Sequence, residues 1–488
     1  MIHNLEEFSD EQIKILEKYV TDVSGNVFVL QNLPEVIKGA LFSRYSRSTL
    51  GLRALLLKEF ILNEETSFDS ITGNRNEKDF SVEEQGLAIQ KAQNFYDRIL
   101  DGFGDDSIGE LGGTHLAIEN ISMIGAKIIE DCRVGGSPLE KSTRYIYFDQ
   151  KIDGEYLFYK EPIIMTSAYR DIYLDTCNML FDTYSKLIPK LTNVIQEKFP
   201  TEHNASKAAY TSALRAKVLD CLRGLLPSSA LTNIGIFGNG RFYEYMLSKL
   251  NCHNLAELQE LGKSSFTELA KIIPSFIRRS DINHRNQKAF SEFSEQMKTD
   301  LKLISENHIA NIREEREPGV ALIGYDKDAV YNVAGALLFA NTHANLSDLQ
   351  KYCKSLPDEE IARILDAGCL SRENRRHKSP RALEHATFTF EIVADFGAYR
   401  DLQRHRILTQ ERQLLTCDYG YYMPVEILDT EMEKDYINAM EAAKSAYETI
   451  SKELPEEAQY VVPMAYNMHW YFHVNLRSLQ WLCELRSS

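Results

Sequence analysis

An internal repeat constrains the fold of this 488-residue chain more than any other feature of its sequence. Leu225-Leu226-Pro227 in the first half matches Val461-Val462-Pro463 in the second half. In both halves an asparagine follows the proline by twelve positions and an arginine by fourteen, which gives Asn239, Arg241, Asn475 and Arg477. Each half also carries an arginine-containing polar block upstream of this match. Because two blocks recur in the same order, we expect the chain to fold as two copies of one module.

The boundary between the copies follows from a change in composition. After Arg279 the sequence turns polar and charged and reads as a connecting helix that ends near Pro318-Gly319. We therefore predict a first module over residues 1–280, a linker over 281–318 and a second module over 319–488. Alternation at Phe388, Phe390 and Ile392 predicts a strand. Helical patterns predict helices at Asp10–Tyr19, Glu35–Leu62, Val82–Leu100, Ala168–Phe199, Ser206–Leu226, Phe242–Leu250, Ser347–Ser355, Asp358–Asp366 and Asp429–Ser451.

The net charge of −16 narrows the choice of partners. Binding to a phosphate backbone normally needs an excess of basic residues, so extended nucleic acid is not expected, whereas a small anion in a local basic pocket is allowed. No run approaches 18 apolar residues, and the acidic N-terminus lacks the features of a signal peptide. The eight cysteines are scattered without a CxxC pair, a pattern that is typical of reduced thiols. We therefore expect a cytoplasmic protein with no membrane partner and no metal site.

One candidate site is the tripeptide Arg404-His405-Arg406, which follows a predicted amphipathic helix at Phe396–Gln403. Two guanidinium groups suit the recognition of a planar, multidentate anion, and the imidazole can stack or donate a hydrogen bond. The alternative is a basic helix terminus that complements the helix dipole. The tripeptide alone does not decide between them.

A second candidate is the alternating series Glu140, Ser142 and Arg144. In an extended segment these side chains share one face, where the arginine and hydroxyl can bind a phosphate while the carboxylate takes a sugar hydroxyl or a base donor. A solvated strand edge is the alternative.

Buried polar residues form the third candidate set. Five arginines and asparagines lie in otherwise apolar helical stretches, where an unpaired polar group is costly. Each alone is best explained by a structural ion pair, but their matched places in a repeat favour a binding site. They are Arg223, Asn239, Asn475, Arg477 and Arg486.

The motifs of the second half resemble those of the flavin-dependent thymidylate synthase family (ThyX). Glu384-His385-Ala386-Thr387-Phe388-Thr389-Phe390 is similar to the family's EHxxFTF strand, Arg404-His405-Arg406 to its RHR signature, and Asn475-Leu476-Arg477 to its later NxR segment. The first half resembles the same family elsewhere. Glu140, Ser142 and Arg144 match the end of the signature, and Arg223 matches an arginine four residues before a proline.

Each half departs from the family where the other half agrees with it. In the second half, Leu414, Thr416 and Gln459 replace the expected serine and two arginines. In the first half, the RHR positions read Cys132-Arg133-Val134, and Leu250 stands where the second half has Arg486. The first copy therefore keeps the nucleotide-binding residues and the second keeps the flavin signature, a division that random decay would rarely produce.

The resemblance implies an α+β fold with two ThyX-like modules in tandem, each a small, mainly antiparallel sheet packed with long helices. It implies reductive methylation of dUMP to dTMP, with FAD as cofactor and methylenetetrahydrofolate and NADPH as co-substrates. Two chains would form a homodimer that reproduces the family's homotetramer. The family usually continues for another helix beyond the position of Arg486, and the sequence alone does not decide whether this chain is truncated there.

The resemblance also assigns residues to roles in a composite site. Glu140, Ser142, Arg144, Arg223 and Arg486 would bind the nucleotide, and Arg486 would also polarise the uracil ring, which makes it the catalytic residue. Cofactor binding would fall to Glu384, Arg404, His405, Arg406, Asn475 and Arg477. Two alternatives stay open: a ThyX-fold flavoenzyme that acts on another nucleotide, and a non-catalytic assembly protein that binds flavin or nucleotide.

Overall fold

A computed structural model describes residues 7–46, 48–62, 109–200, 206–309 and 317–487. The predicted helix Val82–Leu100 lies outside these residues. The strands are β1 (Gly113–Ser122), β2 (Gly136–Glu140), β3 (Lys151–Ile152), β4 (Glu155–Tyr156), β5 (Leu231–Asn239), β6 (Gly319–Tyr325), β7 (Thr387–Asp395), β8 (Thr409–Arg412) and β9 (Asn467–Asn475). Within the described residues, no helix combines the length and the apolar character needed to cross a bilayer.

Helices supply most of the regular structure. The α-helices are Asp10–Leu16, Glu35–Tyr45, Leu52–Leu55, Met123–Glu130, Pro162–Thr166, Arg170–Lys198, Lys207–Leu222, Gly240–Asn251, Ala256–Leu269, Pro274–Ile277, Arg285–His308, Ala329–Phe339, Leu346–Ser355, Asp358–Cys369, Phe396–Leu402, Glu433–Ile450 and Leu476–Arg486. The single helix predicted at Glu35–Leu62 is therefore wrong, because the chain leaves the helix after Tyr45 and re-enters it at Leu52.

The strands form small sheets. β1, β5 and β2 make a three-stranded sheet in that order, and β3 pairs with β4. The second copy holds a four-stranded sheet in the order β6-β7-β9-β8, in which all neighbouring strands are antiparallel. The chain is thus an α+β protein with small antiparallel sheets and long helices, as expected.

The two copies repeat the same strand–helix units. β1 and β7 each run into a helix whose N-cap side chain, Ser122 or Asp395, accepts a hydrogen bond from the backbone N–H three residues later. β5 and β9 each have nine residues and run into a helix capped in the same way by Asn239 or Asn475. A capping side chain at the end of a strand fixes where the helix begins. The predicted duplication is therefore visible in the fold.

The strand registers align the copies in detail. Glu140 pairs with Ile234 in the first sheet, and Arg412 pairs with Trp470 in the second. Ile234 and Trp470 lie at the same position of the repeat, so Arg412 is the counterpart of Glu140. Counting on from this pair makes Leu414 the counterpart of Ser142 and Thr416 the counterpart of Arg144.

The chain divides into two compact units, and each draws on several stretches of sequence. Unit 1 contains Met1–Glu119, Cys132–Glu140 and Asn233–Asn311, whereas unit 2 contains Asn120–Asp131, Lys141–Thr232 and Ile312–Ser488. Unit 2 therefore includes segments from both copies of the repeat, which allows residues of both copies to contribute to one site.

The repeated Leu-Leu-Pro and Val-Val-Pro segments lie side by side in unit 2. Pro227 bridges Pro463 in antiparallel fashion. The hydrogen bond from Ser228 N to the Val462 oxygen is matched by one from Met464 N to the Leu226 oxygen, and both are 2.9 Å long. These bonds exchange when the two segments are exchanged, so a local twofold axis relates the two segments within unit 2.

Candidate functional site

A cavity of about 480 Å³ opens beside Arg404-His405-Arg406 in unit 2. Among the described residues that line it, Glu384 is the single acidic side chain. Basic side chains come from Arg372, Arg375, Lys378, Arg404, Arg406, Arg477 and Arg486. In a chain with a net charge of −16, such a concentration of positive charge indicates an anion-binding site.

The helix Phe396–Leu402 positions the Arg404-His405-Arg406 turn. Tyr399 packs edge-on against Trp470 of β9, with ring centroids 5.3 Å apart. The next residue after the helix, Gln403, is buried, and its side chain donates a 2.7 Å hydrogen bond to the Lys127 oxygen. The turn is therefore fixed from both sides of the helix end, in the place that the sequence predicted.

His405 is the most buried member of this turn. It is 8% exposed, and its Nε2 is enclosed with no hydrogen-bond partner among the described residues. Burial, followed by repulsion from Arg486, lowers the pKa of His405 to about 4. The imidazole is therefore neutral at pH 7 and presents an unused polar atom next to the cavity.

Two residues assigned to the cofactor pair with each other. Arg477 donates a 2.7 Å hydrogen bond from Nη1 to the Glu384 carboxylate and a 3.0 Å bond from Nε to the Ser379 oxygen. The pair is about one-third exposed, so it joins the wall of the cavity and leaves part of the guanidinium accessible.

The repeated asparagine has a structural role in both copies. Asn475 Oδ1 accepts a 2.9 Å hydrogen bond from Ser478 N, and Asn239 Oδ1 accepts one of the same length from Phe242 N. Asn475 is not among the described residues that line the cavity. Helix capping therefore explains why the asparagine recurs.

We expect Asn475→Ala to lower the free energy of unfolding by about 1 kcal/mol, because the helix Leu476–Arg486 loses its cap. Asn239→Ala is the matched change in the first copy and should cost a similar amount in a urea titration. Asn475→Asp keeps a good capping group and should restore stability. An Asn475→Asp protein that is stable but has lost flavin binding would give Asn475 a direct role at the cofactor.

Three arginines meet at one carboxylate near the cavity. Asp401 Oδ1 lies 3.1 Å from Arg144 Nη2 and 3.8 Å from Arg486 Nη1, and its Oδ2 lies 3.5 Å from Arg223 Nη2. Burial lowers the pKa of Arg486, as do Arg404 and Arg144, while Asp401 opposes this shift. The structure thus brings together Arg144 and Arg223 of the first copy and Arg486 of the second.

The alternating series Glu140, Ser142 and Arg144 does not have the extended conformation that the sequence predicted. The segment is not extended beyond β2, because the chain turns at Ser142, whose hydroxyl accepts a 3.2 Å hydrogen bond from Arg144 N. The predicted common face of Glu140, Ser142 and Arg144 is therefore wrong. Ser142 and Arg144 lie in this turn in unit 2, and Glu140 is buried at the end of β2 in unit 1.

Several residues of the site belong to none of the motifs in the sequence. Asp401 is one, and the basic segment Arg372–Lys378 is another. Arg372 is held by Glu484, and Lys378 Nζ lies 4.2 Å from the centre of the Trp481 ring. The concentration of basic residues just before Glu384 was the signal in the sequence that could have indicated this segment.

Comparison with known proteins places these features in a family context. Residues 64–275 and 321–488 each match the family described as thymidylate synthase complementing protein (Thy1). A UPF0159 protein of Chlamydia pneumoniae is 54% identical over 487 residues, which cover 100% of this chain and 90% of that protein. A UPF0159 protein of Thermoplasma acidophilum is 32% identical over 481 residues, covering 92% of this chain and 88% of that protein.

More distant matches carry a functional name. The flavin-dependent thymidylate synthase of Helicobacter pylori is 31% identical over 149 residues, which cover 25% of this chain and 71% of that enzyme. A crystal structure of ThyX from Helicobacter pylori, complexed with FAD and dUMP, matches with 20% identity and a TM-score of 0.26 over 36% of this chain and 85% of that chain.

Proposed function

The chain belongs to the thymidylate synthase complementing protein (Thy1) family, as its motifs predicted, and from this premise we propose that it is a flavin-dependent thymidylate synthase. The reaction is the reductive methylation of dUMP to dTMP with methylenetetrahydrofolate and NADPH. One observation carries the proposal: a basic cavity at Arg404-His405-Arg406 adjoins a cluster in which Asp401 contacts arginines of both copies.

The residues at the cavity fit FAD. Guanidinium groups of Arg404, Arg406 and Arg477 suit its pyrophosphate, and the enclosed Nε2 of neutral His405 lacks the polar partner that a bound cofactor supplies. A volume of about 480 Å³ is within the usual range for a ligand pocket. The flavin supplies hydride-transfer chemistry when bound, and the protein binds and orients it.

The arginine cluster fits the nucleotide. Arg144 and Arg223 bind the phosphate with the Ser142 hydroxyl, and Arg486 polarises the uracil ring. Because burial and neighbouring cations surround Arg486, a ligand oxygen that carries negative charge is favoured beside it. No cysteine is needed in this scheme.

Each chain then provides one complete site. The repeat would give a second site, in which Thr416 and Gln459 are the counterparts of Arg144 and Arg223. Thr416 is hydrogen-bonded to Asp418, and Gln459 is hydrogen-bonded to Leu415 N and the Glu456 oxygen. None of these side chains offers a positive charge to a phosphate. We further propose that each chain has two tandem modules, residues 1–280 and 319–488, joined by a linker over residues 281–318. Two such chains form a homodimer, which is located in the cytoplasm.

Tritium release from 5-tritiated dUMP tests the reaction directly. With methylenetetrahydrofolate, NADPH and FAD present, we expect release that stops when folate is left out. A protein that binds FAD without releasing tritium would instead be a family member with another nucleotide substrate. A protein that binds FAD or dUMP but whose flavin is not bleached by NADPH would be the non-catalytic assembly protein.

Flavin stoichiometry tests the loss of the second site. We expect the purified protein, saturated with FAD and freed of excess, to hold one flavin per chain, measured by flavin absorbance against protein concentration. Leu414→Ser with Thr416→Arg and Gln459→Arg should not raise this value, because those positions belong to the nucleotide. Two flavins per chain would contradict the division of roles between the copies.

A further inference from the structure

Asp401 is shared by arginines from three separate stretches of the chain. Arg144 follows β2, Arg223 follows the helix Lys207–Leu222, and Arg486 is the last residue of the helix Leu476–Arg486. Their guanidinium groups lie 3.1, 3.5 and 3.8 Å from the Asp401 carboxylate. Like charges repel, so an anion among three guanidinium groups lowers the electrostatic cost of gathering them. In the structure that anion is a side chain of the protein itself.

The other copy of the repeat shows that these residues change as a set. Asp401 is the sixth residue after the helix cap Asp395, and the sixth residue after the matching cap Ser122 is Ile128, which is buried. The counterparts of the three arginines are likewise uncharged, namely Thr416, Gln459 and Leu250. The carboxylate is thus present where the three arginines are present, and it is absent from the counterpart positions, where the arginines are absent too. A residue that served only its own helix would have no reason to follow this pattern.

The charge of the cluster defines the ligand that it takes. A second carboxylate, Asp220, also contacts Arg223, with its Oδ1 3.2 Å from Nη2. Once Asp401 is displaced, the three guanidinium groups and Asp220 leave two positive charges, which equals in magnitude the charge of a phosphate monoester dianion. The carboxylate is 21% exposed, so it can turn toward solvent without a large rearrangement. Each guanidinium has five N–H donors, and only some of them point at Asp401.

We propose that Asp401 is the internal counter-ion of the phosphate site. Its carboxylate holds Arg144, Arg223 and Arg486 together while the site is empty, and the phosphate of the nucleotide displaces it and takes over the same guanidinium groups. Asp401 is thus a positioning residue that competes with the substrate and keeps the empty site from being occupied by weaker anions. This inference rests on the proposed function only for the identity of the ligand as a nucleotide phosphate.

Inorganic phosphate is the probe for this role, titrated into the full chain at constant ionic strength in a calorimeter. We expect Asp401→Asn to bind phosphate about tenfold more tightly than the wild type, because the competing carboxylate is gone while the arginines remain. Asp401→Glu keeps the charge and should stay within about threefold of the wild type. Asp435→Asn is the matched control, since it removes the same charge from a surface pair with Lys186 and should leave phosphate binding unchanged.

Thermal melting separates this role from a merely structural one. Without phosphate, Asp401→Asn should melt at a lower temperature than the wild type because the arginines repel one another. With saturating phosphate the difference should narrow, since phosphate stabilises the folded state of both proteins and the variant binds it about tenfold more tightly. A purely structural aspartate would leave the melting deficit unchanged by phosphate.

The inference is overturned if Asp401→Asn binds phosphate no more tightly than the wild type, or if neither protein binds it. The proposed reaction is judged separately by tritium release. Tighter phosphate binding in Asp401→Asn without tritium release from the wild type would support the counter-ion and reject the reaction. Tritium release from the wild type, with phosphate binding unchanged in Asp401→Asn, would support the reaction and reject the counter-ion.

Discussion

Replacing Arg144 with alanine should lower the turnover of dUMP about a thousandfold and leave the fold intact. Arg144 is more than one-third exposed, so its ion pair with Asp401 contributes little to stability. Its guanidinium would instead supply two charge-assisted hydrogen bonds to the substrate phosphate, and their loss misplaces the nucleotide. Tritium release at saturating folate and NADPH is the measurement, with melting temperature as the check on folding.

Two further variants sharpen this result. Arg144→Lys keeps the charge but loses the planar fork of donors, so its activity should fall between those of the wild type and Arg144→Ala. Arg363→Ala removes an arginine whose pair with Glu360 lies on an exposed helix, and it should leave turnover unchanged. Activity of Arg144→Ala within a few-fold of the wild type would remove Arg144 from the site.

Coexpression shows whether one chain supplies both parts of the site. Arg144 and Arg486 contact the same carboxylate within unit 2, so we expect dimers that mix Arg144→Ala with His405→Ala chains to stay inactive. If the parts came from different chains, mixed dimers would regain one intact site, and the preparation would reach about a quarter of wild-type turnover.

The sequence predicted those parts of the site that a local pattern encodes. The helix before Arg404 and the strand at Thr387 follow from hydrophobic periodicity, and the structure places both where the pattern indicated. The resemblance to the family also predicted that the copies keep complementary residues, because both halves could be compared with the same motifs. The structure added that the repeated asparagines cap helices, a role that the spacing alone could not distinguish from ligand binding.

Other parts depend on contacts that no local pattern records. Asp401 is one acidic residue among the 71 aspartates and glutamates of the chain, and only the approach of Arg144, Arg223 and Arg486 gives it significance. The expected extended face failed for a different reason. The Ser142 hydroxyl bonds to the backbone two residues on, which favours a turn over a strand.

The second large effect concerns the dependence of stability on pH. Burial and Arg486 hold the pKa of His405 at about 4 in the folded protein, whereas an unfolded chain has the ordinary value near 6.5. As the pH falls from about 6.5 to about 4, the unfolded state therefore takes up a proton before the folded state does. The free energy of unfolding contributed by neutral His405 is fully present above pH 6.5 and is lost on the way to pH 4, by up to about 3 kcal/mol.

His405→Gln removes this titration while it keeps a polar side chain of similar length. We expect the urea-derived free energy of unfolding to fall less between pH 6.5 and pH 4 in His405→Gln than in the wild type, by roughly 2–3 kcal/mol. His343→Gln, at an exposed position, is the control and should follow the wild-type curve. FAD should steepen the wild-type curve, since a cofactor that needs the neutral imidazole adds to its stability. Parallel curves for the wild type and His405→Gln would mean that Nε2 is solvated in the folded protein, and the enclosed polar atom could then no longer support a cofactor at this position.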